Sequence, residues 1–140
     1  MRRSFLAVAA GFLLTALLSL GTDIALHAAG LYPPWGERMS DGLFLVATAY
    51  RLGFTVLGGY ATARLAPRAP MRHGLWLGGV GTLVALASAI ATWNAGLGPH
   101  WYPVALMVTA LPCVLCGARL GLARWHVATG AGRAPEPRIP

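Results

Sequence analysis

The sequence predicts an all-α integral membrane protein, four transmembrane helices in an antiparallel bundle with both termini in the cytoplasm. Three observations predict it. Apolar residues make up 56% of the 140 residues and charged residues only 11%, less than half of the roughly 25% found in an ordinary soluble domain. Four apolar segments each approach the ~20 residues needed to cross ~30 Å of hydrocarbon. All eleven basic side chains are arginine, and most cluster beside the same alternate ends of those segments. A mean hydropathy of +0.61 fits the same picture. Such a composition excludes a disordered tail, a disulfide-stapled secreted domain and nearly every soluble enzyme, because too little polar surface exists to face water.

The segments run over residues 5–26, 43–65, 74–93 and 102–122. In lipid each must be a helix, since an unpaired backbone group finds no water there. The links at 28–42, 66–73 and 94–101 are short enough to make successive helices neighbours of opposite direction. Arg2 and Arg3 precede the first segment; Arg64, Arg68 and Arg72 flank one link; Arg119, Arg124, Arg133 and Arg138 close the chain. Asp23, Glu37 and Asp41 lie toward the opposite side. The positive-inside rule produces this segregation, and it places the arginines in the cytoplasm. Basic membrane flanks explain the charge without nucleic acid, and they attract anionic lipid headgroups. Tyr32, Trp35, Trp93, Trp101 and Tyr102 then mark the outer interface, and Phe5, Tyr60, Trp76 and Trp125 the inner one, the depth at which half-apolar rings settle. Residues 1–129 form the membrane domain, and the Gly- and Pro-rich stretch 130–140 is expected to be a mobile cytoplasmic tail. A rival reading makes Met1-Arg-Arg and the following apolar run a signal peptide cut after Ala29, but the run is long for an h-region and Asp23 stands close to the cut.

Each segment carries a stripe of small or polar residues. The second has Thr48, Arg51, Thr55, Gly58 and Thr62; the third has Gly74, Gly78, Gly81, Ala85, Ser88 and Thr92. The first offers Ala9, Ala16, Ser19 and Asp23, interrupted by Phe12, and the fourth Ala105, Thr109, Pro112, Cys116 and Arg119. Steps of three and four keep each set on one face. Small residues let helices approach closely and hydroxyls bond across the contact, so Gly58, Gly74, Gly78 and Gly81 are expected at helix contacts; a polar axis through the membrane is the competing reading.

Arg51 asks for more than packing. It lies about 12 Å below the outer boundary, where a charge costs about 2.5–3.5 kcal/mol unless it is paired or hydrated. Asp23, about 3 Å below the same boundary, is the expected partner, with His27, Asp41, Tyr50 and His100 completing an outward-facing polar cluster. Three roles stay open: an ion pair that fixes helix register, the floor of a pocket for an anion or carboxylate, or an arginine snorkelling alone to the lipid headgroups.

Other residues carry less chemistry. Gly30-Leu31-Tyr32-Pro33-Pro34-Trp35 and Gly96-Leu97-Gly98-Pro99-His100-Trp101 share Gly-Leu-x-Pro-x-Trp, which suggests two parallel repeats of one hairpin. Cys113 and Cys116 form Cys-x-x-Cys in apolar surroundings with no second pair to complete a zinc site, and are expected as buried packing residues. Pro112 frees the carbonyl of Val108 and predicts a kink. His27 and His100 at one end, with His73 and His126 at the other, admit a histidine-based haem or metal carrier, although all four sit at or beyond helix ends. No serine has an adjacent base, and no glycine-rich loop opens a soluble helix.

Gly58-Gly59-Tyr60-Ala61-Thr62-Ala63-Arg64-Leu65-Ala66-Pro67, followed by Pro70-Met71-Arg72-His73, resembles a group of small, uncharacterised four-span bacterial inner-membrane proteins. They share a Gly-Gly-aromatic-x-x-Ala-Arg helix end and a His-x-x-x-x-Gly start to the next helix, matched here by His73 and Gly78. The Pro-Pro-Trp and His-Trp-Tyr-Pro loops are similar too, while Cys116 stands where the group has an aliphatic residue. The resemblance implies a four-span fold in the inner membrane and brings no activity. The functional expectation is a non-enzymatic multi-pass protein with no cofactor, serving small solute or anion passage or as an accessory subunit of a membrane complex. A homo-oligomer or a membrane partner fits that reading, and the lipid bilayer is its surrounding.

Overall fold

The computed structural model describes residues 2–96 and 98–129, with side chains as far as Ala123. The chain is all-α. Helices α1 (Arg2–Ala28), α2 (Asp41–Leu65), α3 (Pro70–Thr92) and α4 (Trp101–Thr129) follow one another, and all four are long and apolar enough to cross a membrane. The expected mobile tail at 130–140 lies outside the described residues.

Every helix begins before its apolar segment, and α1 and α4 also run beyond theirs. Apolarity marks what hydrocarbon requires, whereas the helix itself continues for as long as backbone and caps permit. The link between α2 and α3 therefore shrinks to residues 66–69. Its last residue, Ala69, holds a left-handed conformation (φ 47°, ψ 61°), and Pro70 opens α3. Proline costs nothing there, because the first helical N–H has no partner to lose. At the other end α1 stops in a Schellman turn: the Gly30 N–H donates to the His27 carbonyl (3.1 Å) and the Leu31 N–H to that of Leu26 (3.0 Å). Gly30 has φ 70°, a conformation that glycine adopts without a Cβ penalty.

The pairings are read from the contacts. Along α1 and α2, Ala7 meets Thr62, Thr15 meets Phe54 and Asp23 meets Arg51. Between α3 and α4, Gly74 lies against Ala118 and Gly78 against Leu111. Between α2 and α4, Gly59 lies against Val114, and Gly121 against Tyr60 and Ala63. At Gly59 and Gly117 the contact is backbone against backbone. A Cβ on Gly117 would collide with the Val56 carbonyl and sit 2.8 Å from the Tyr60 nitrogen, and one on Gly58 would lie 2.8 Å from the Gly11 carbonyl.

The interior is built mostly from small residues, with Tyr32, Phe44, Leu77 and Val114 among them, and the exterior mostly from large ones. Ala7, Ala47, Ala63, Ala89, Ala118 and Thr62 are buried. Leu13, Leu17, Leu83, Ile90 and Val108 are each more than half exposed. Water would drive the large apolar side chains inward; a solvent as apolar as leucine leaves contact between backbones as the favourable arrangement.

Three expected stripes shift. The α1 contact face runs through Ala7, Gly11, Thr15 and Ser19, while Ala16 is exposed. In α4 the buried residues are Val114, Gly117, Ala118 and Gly121. Pro112 and Cys116 are exposed instead, so Cys116 is no buried packing residue, and Cys113 is half-buried. Helix α4 runs on through Pro112. Gly81 in α3 has no atom within 4 Å of where its Cβ would stand, so it makes no helix contact of the kind expected of it. The spacing locates a stripe but not the neighbour it faces, and in α3 and α4 the choice falls on adjacent positions.

Candidate functional site

The bundle has two unlike ends. The links 29–40 and 93–100 close one end, and the arginine-bearing link 66–69 closes the other. A polar centre lies toward the first. Asp23 stands in the last turns of α1, and Tyr50 and Arg51 occupy consecutive positions on α2. One oxygen of the Asp23 carboxylate accepts the Tyr50 hydroxyl, and the other accepts Arg51 Nη2 at 2.5 Å. The side chains keep 30% (Arg51) and 15% (Asp23) of their surface exposed. Both carboxylate oxygens are thus engaged, which fixes its plane against α2. Arg51 is less fully used, because its Nε is buried without a partner.

Two hollows meet at Arg51. The larger, about 390 Å³, touches all four helices: Phe12, Thr15 and Ser19 from α1, Thr55 from α2, Gly81 from α3 and Thr109 from α4 are on its wall. The smaller, about 200 Å³, runs from Arg51 to Trp93, His100 and Tyr102 beneath the link 93–100. Arg51, Ala85, Ser88 and Leu106 line both. Gly81 therefore leaves room: with no side chain and no facing helix, it widens the hollow.

Most hydroxyls near the larger hollow bond their own helix. Thr55 Oγ1 donates to the Arg51 carbonyl (2.7 Å) and Thr109 Oγ1 to that of Ala105 (2.6 Å). Thr15 Oγ1 reaches both Gly11 and Phe54 carbonyls (3.1 and 3.2 Å), tying α1 to α2. Bonds of this kind consume the hydroxyl proton, so these threonines present only lone pairs to an occupant. Arg51 is the one cation on the wall of the two hollows among the described residues.

Of the residues expected in the cluster, Asp23, Tyr50 and Arg51 come together. His27 turns away: its Nδ1 donates to the Asp23 backbone carbonyl (2.8 Å) and its ring stacks on Trp35 at 3.7 Å. His100 likewise bonds the Trp93 carbonyl through Nε2 (3.0 Å) and stacks on Trp93 at 4.4 Å; it reaches the smaller hollow but has no bond to Arg51. Asp41 is exposed at the start of α2, and its charge suits the helix N-terminus. Tyr102 and Phe44, whose rings meet at 4.8 Å, were absent from the expected set; the spacing of aromatics at an interface does not say which of them turns inward. Among the described residues no three His, Cys, Asp or Glu side chains gather as metal ligands.

The two hairpins share one local device. Gly30 and Gly96 both have positive φ, 70° and 66°. His27 and Trp93, each three residues earlier, both stack on a ring of their own loop. The stacking partners, Trp35 and His100, are not equivalent positions of the shared pattern, and Leu97 falls outside the described residues. Comparison of the chain with protein-family models, with curated proteins and with solved structures gives no match, so any function must be argued from the Arg51 centre itself.

Proposed function

We propose that the chain is a non-enzymatic, multi-pass protein of the bacterial inner membrane that receives a small solute from the periplasmic side at Arg51. In this reading the four helices form an antiparallel bundle with both termini and the link 66–69 in the cytoplasm. The concentration of Arg2, Arg3, Arg64, Arg68, Arg72 and Arg119 toward one end, against Arg38 and Arg51 beside Asp23, Glu37 and Asp41 at the other, supports that orientation. It turns the Asp23–Arg51 end, with its two hollows, toward the periplasm.

The observation that carries the reading is Arg51, a charged side chain that lines two hollows at once while its Nε is left without a partner. A guanidinium used only as a register lock would have its donors satisfied, since each buried orphan costs about 1–3 kcal/mol. Here one edge binds Asp23 and another is left over. Because Asp23 offsets the arginine charge, the centre is neutral overall. It suits a small solute rich in hydrogen-bond acceptors, or a carboxylate able to take over the share of Arg51 now held by Asp23.

Thiol labelling tests this. In a chain with Cys113 and Cys116 changed to Ala, Ser88→Cys places a thiol on the wall of both hollows. A reagent that cannot cross the membrane is expected to label it in intact cells, and Arg51→Lys is expected to leave the labelling in place. Failure to label Ser88→Cys, with an exposed position such as Glu37→Cys labelled normally, would mean a closed centre and a purely architectural ion pair.

A further inference from the structure

At the opposite end of the bundle, α1 and α3 leave a hollow of about 530 Å³ between them. Its rim is polar and basic: Ser4 from the first turn of α1, Arg68 from the link, Arg72 and His73 from the first turn of α3. Its floor and walls are apolar, formed by Phe5, Val8, Trp76 and Val80. Phe5 and Trp76 are 74% and 67% exposed, so the apolar part continues as an open strip along the bundle surface. The left-handed turn at Ala69 followed by Pro70 keeps the link to four residues and holds Arg68 and Arg72 over one hollow.

Among the described residues no acid compensates the charge there. The only ion pair among the described residues is Asp23–Arg51, at the far end; Arg68 and Arg72 are exposed. The start of α3 adds the partial positive charge of its free N–H groups. His73 donates Nδ1 to the Ala69 carbonyl (3.1 Å), which leaves Nε2 as an acceptor in the neutral ring.

We propose that this hollow binds an anionic phospholipid of the cytoplasmic leaflet. The phosphate lies against Arg68 and Arg72, a headgroup hydroxyl meets His73, and an acyl chain follows Phe5, Val8, Trp76 and Val80. Two chemistries meet here at one depth, a cationic rim and an apolar strip beneath it, and that pairing fits an amphiphile better than a free anion. Arginine also suits phosphate by its forked donors. The inference rests on a membrane around the bundle and, for the leaflet, on the orientation proposed above, and not on what Arg51 binds.

Tryptophan quenching in vesicles tests it on the full chain. Protein is reconstituted into phosphatidylcholine carrying a minor fraction of brominated lipid, either phosphatidylglycerol or phosphatidylcholine. The Trp76 signal is the difference between the unchanged chain and Trp76→Phe. Brominated phosphatidylglycerol is expected to quench Trp76 at a lower fraction than brominated phosphatidylcholine. In Arg68→Gln/Arg72→Gln the half-quenching fraction should rise by about twenty-five-fold, roughly a factor of five for each arginine. Arg64→Gln/Arg119→Gln removes the same charge from exposed positions outside the hollow, and should raise it far less. Equal quenching by both lipids, or equal loss in both double variants, would overturn the proposal in favour of diffuse surface attraction. Relief of quenching by excess inorganic phosphate would overturn it in favour of a soluble anion site. Should Trp76→Phe fold poorly, the thermal shift on adding phosphatidylglycerol in detergent carries the same comparison of double variants.

Discussion

At the scale of single residues, Asp23 and Arg51 form a unit whose members are worth less apart than together. Removing one leaves the other partly buried and unpaired, while removing both leaves an apolar contact of the kind the rest of the bundle uses. Asp23→Leu is therefore expected to lower stability in detergent by about 1.5–3 kcal/mol, the worth of a hydrogen bond to a charged group. Asp23→Leu/Arg51→Leu should recover most of that loss, giving a coupling that a double-mutant cycle reads directly. A double variant as unstable as the sum of its singles would show that the two residues act independently. This pair was legible in the sequence because a charge within an apolar segment must find a partner, and helical rise gives its depth. Asp41 and the histidines were not. Depth alone placed them nearby, whereas a backbone carbonyl and a stacking ring captured His27 and His100, and such local competition has no signature in spacing.

At the scale of elements, the bundle depends on where two backbones touch. Gly117 and Gly121 stand four residues apart on α4, a small-xxx-small pattern that places both on one face, and both meet α2. Gly117→Ala must drive α2 and α4 apart or strain them, which typically costs about 1–3 kcal/mol. Gly81→Ala meets nothing within 4 Å and gains helix propensity, up to about 1 kcal/mol. Thermal unfolding in detergent is thus expected to move down for Gly117→Ala and to hold or rise for Gly81→Ala. Identical shifts would mean that the close approach at Gly117 is not what holds α2 to α4. The contrast also explains the limits of reading stripes. Gly74 and Gly78 point at α4 and Gly81 points at a hollow, although all three obey one spacing. Helical periodicity fixes the face of a helix; whether a neighbour is present along the whole length depends on how helices splay, and that is set by contacts elsewhere.

At the scale of the whole molecule, the solvent is written into the arrangement of sizes. Alanine and glycine, with Thr62, make up most of the interior, joined by Tyr32, Phe44, Leu77 and Val114, while most leucine, isoleucine and valine side chains lie outside, an order that suits a hydrocarbon surrounding. In the proposed orientation the arginines decide which end faces which compartment. Arg64, Arg68, Arg72 and Arg119 sit at the end of the bundle opposite Glu37 and Asp41, so the orientation proposed here has a direct readout. In a background lacking Cys113 and Cys116, Glu37→Cys should react with a membrane-impermeant thiol reagent in intact cells. Ala69→Cys, equally exposed, should react only after the inner membrane is opened. Exchange of those two outcomes would invert the bundle, moving the Arg51 hollows to the cytoplasm and the Arg68–Arg72 rim to the outer leaflet. Reaction of both in intact cells would be worse for the account, since a four-residue link and a twelve-residue link on the same side leave α2 no way to cross. The experiment therefore tests the charge rule and the crossing itself with a single pair of cysteines.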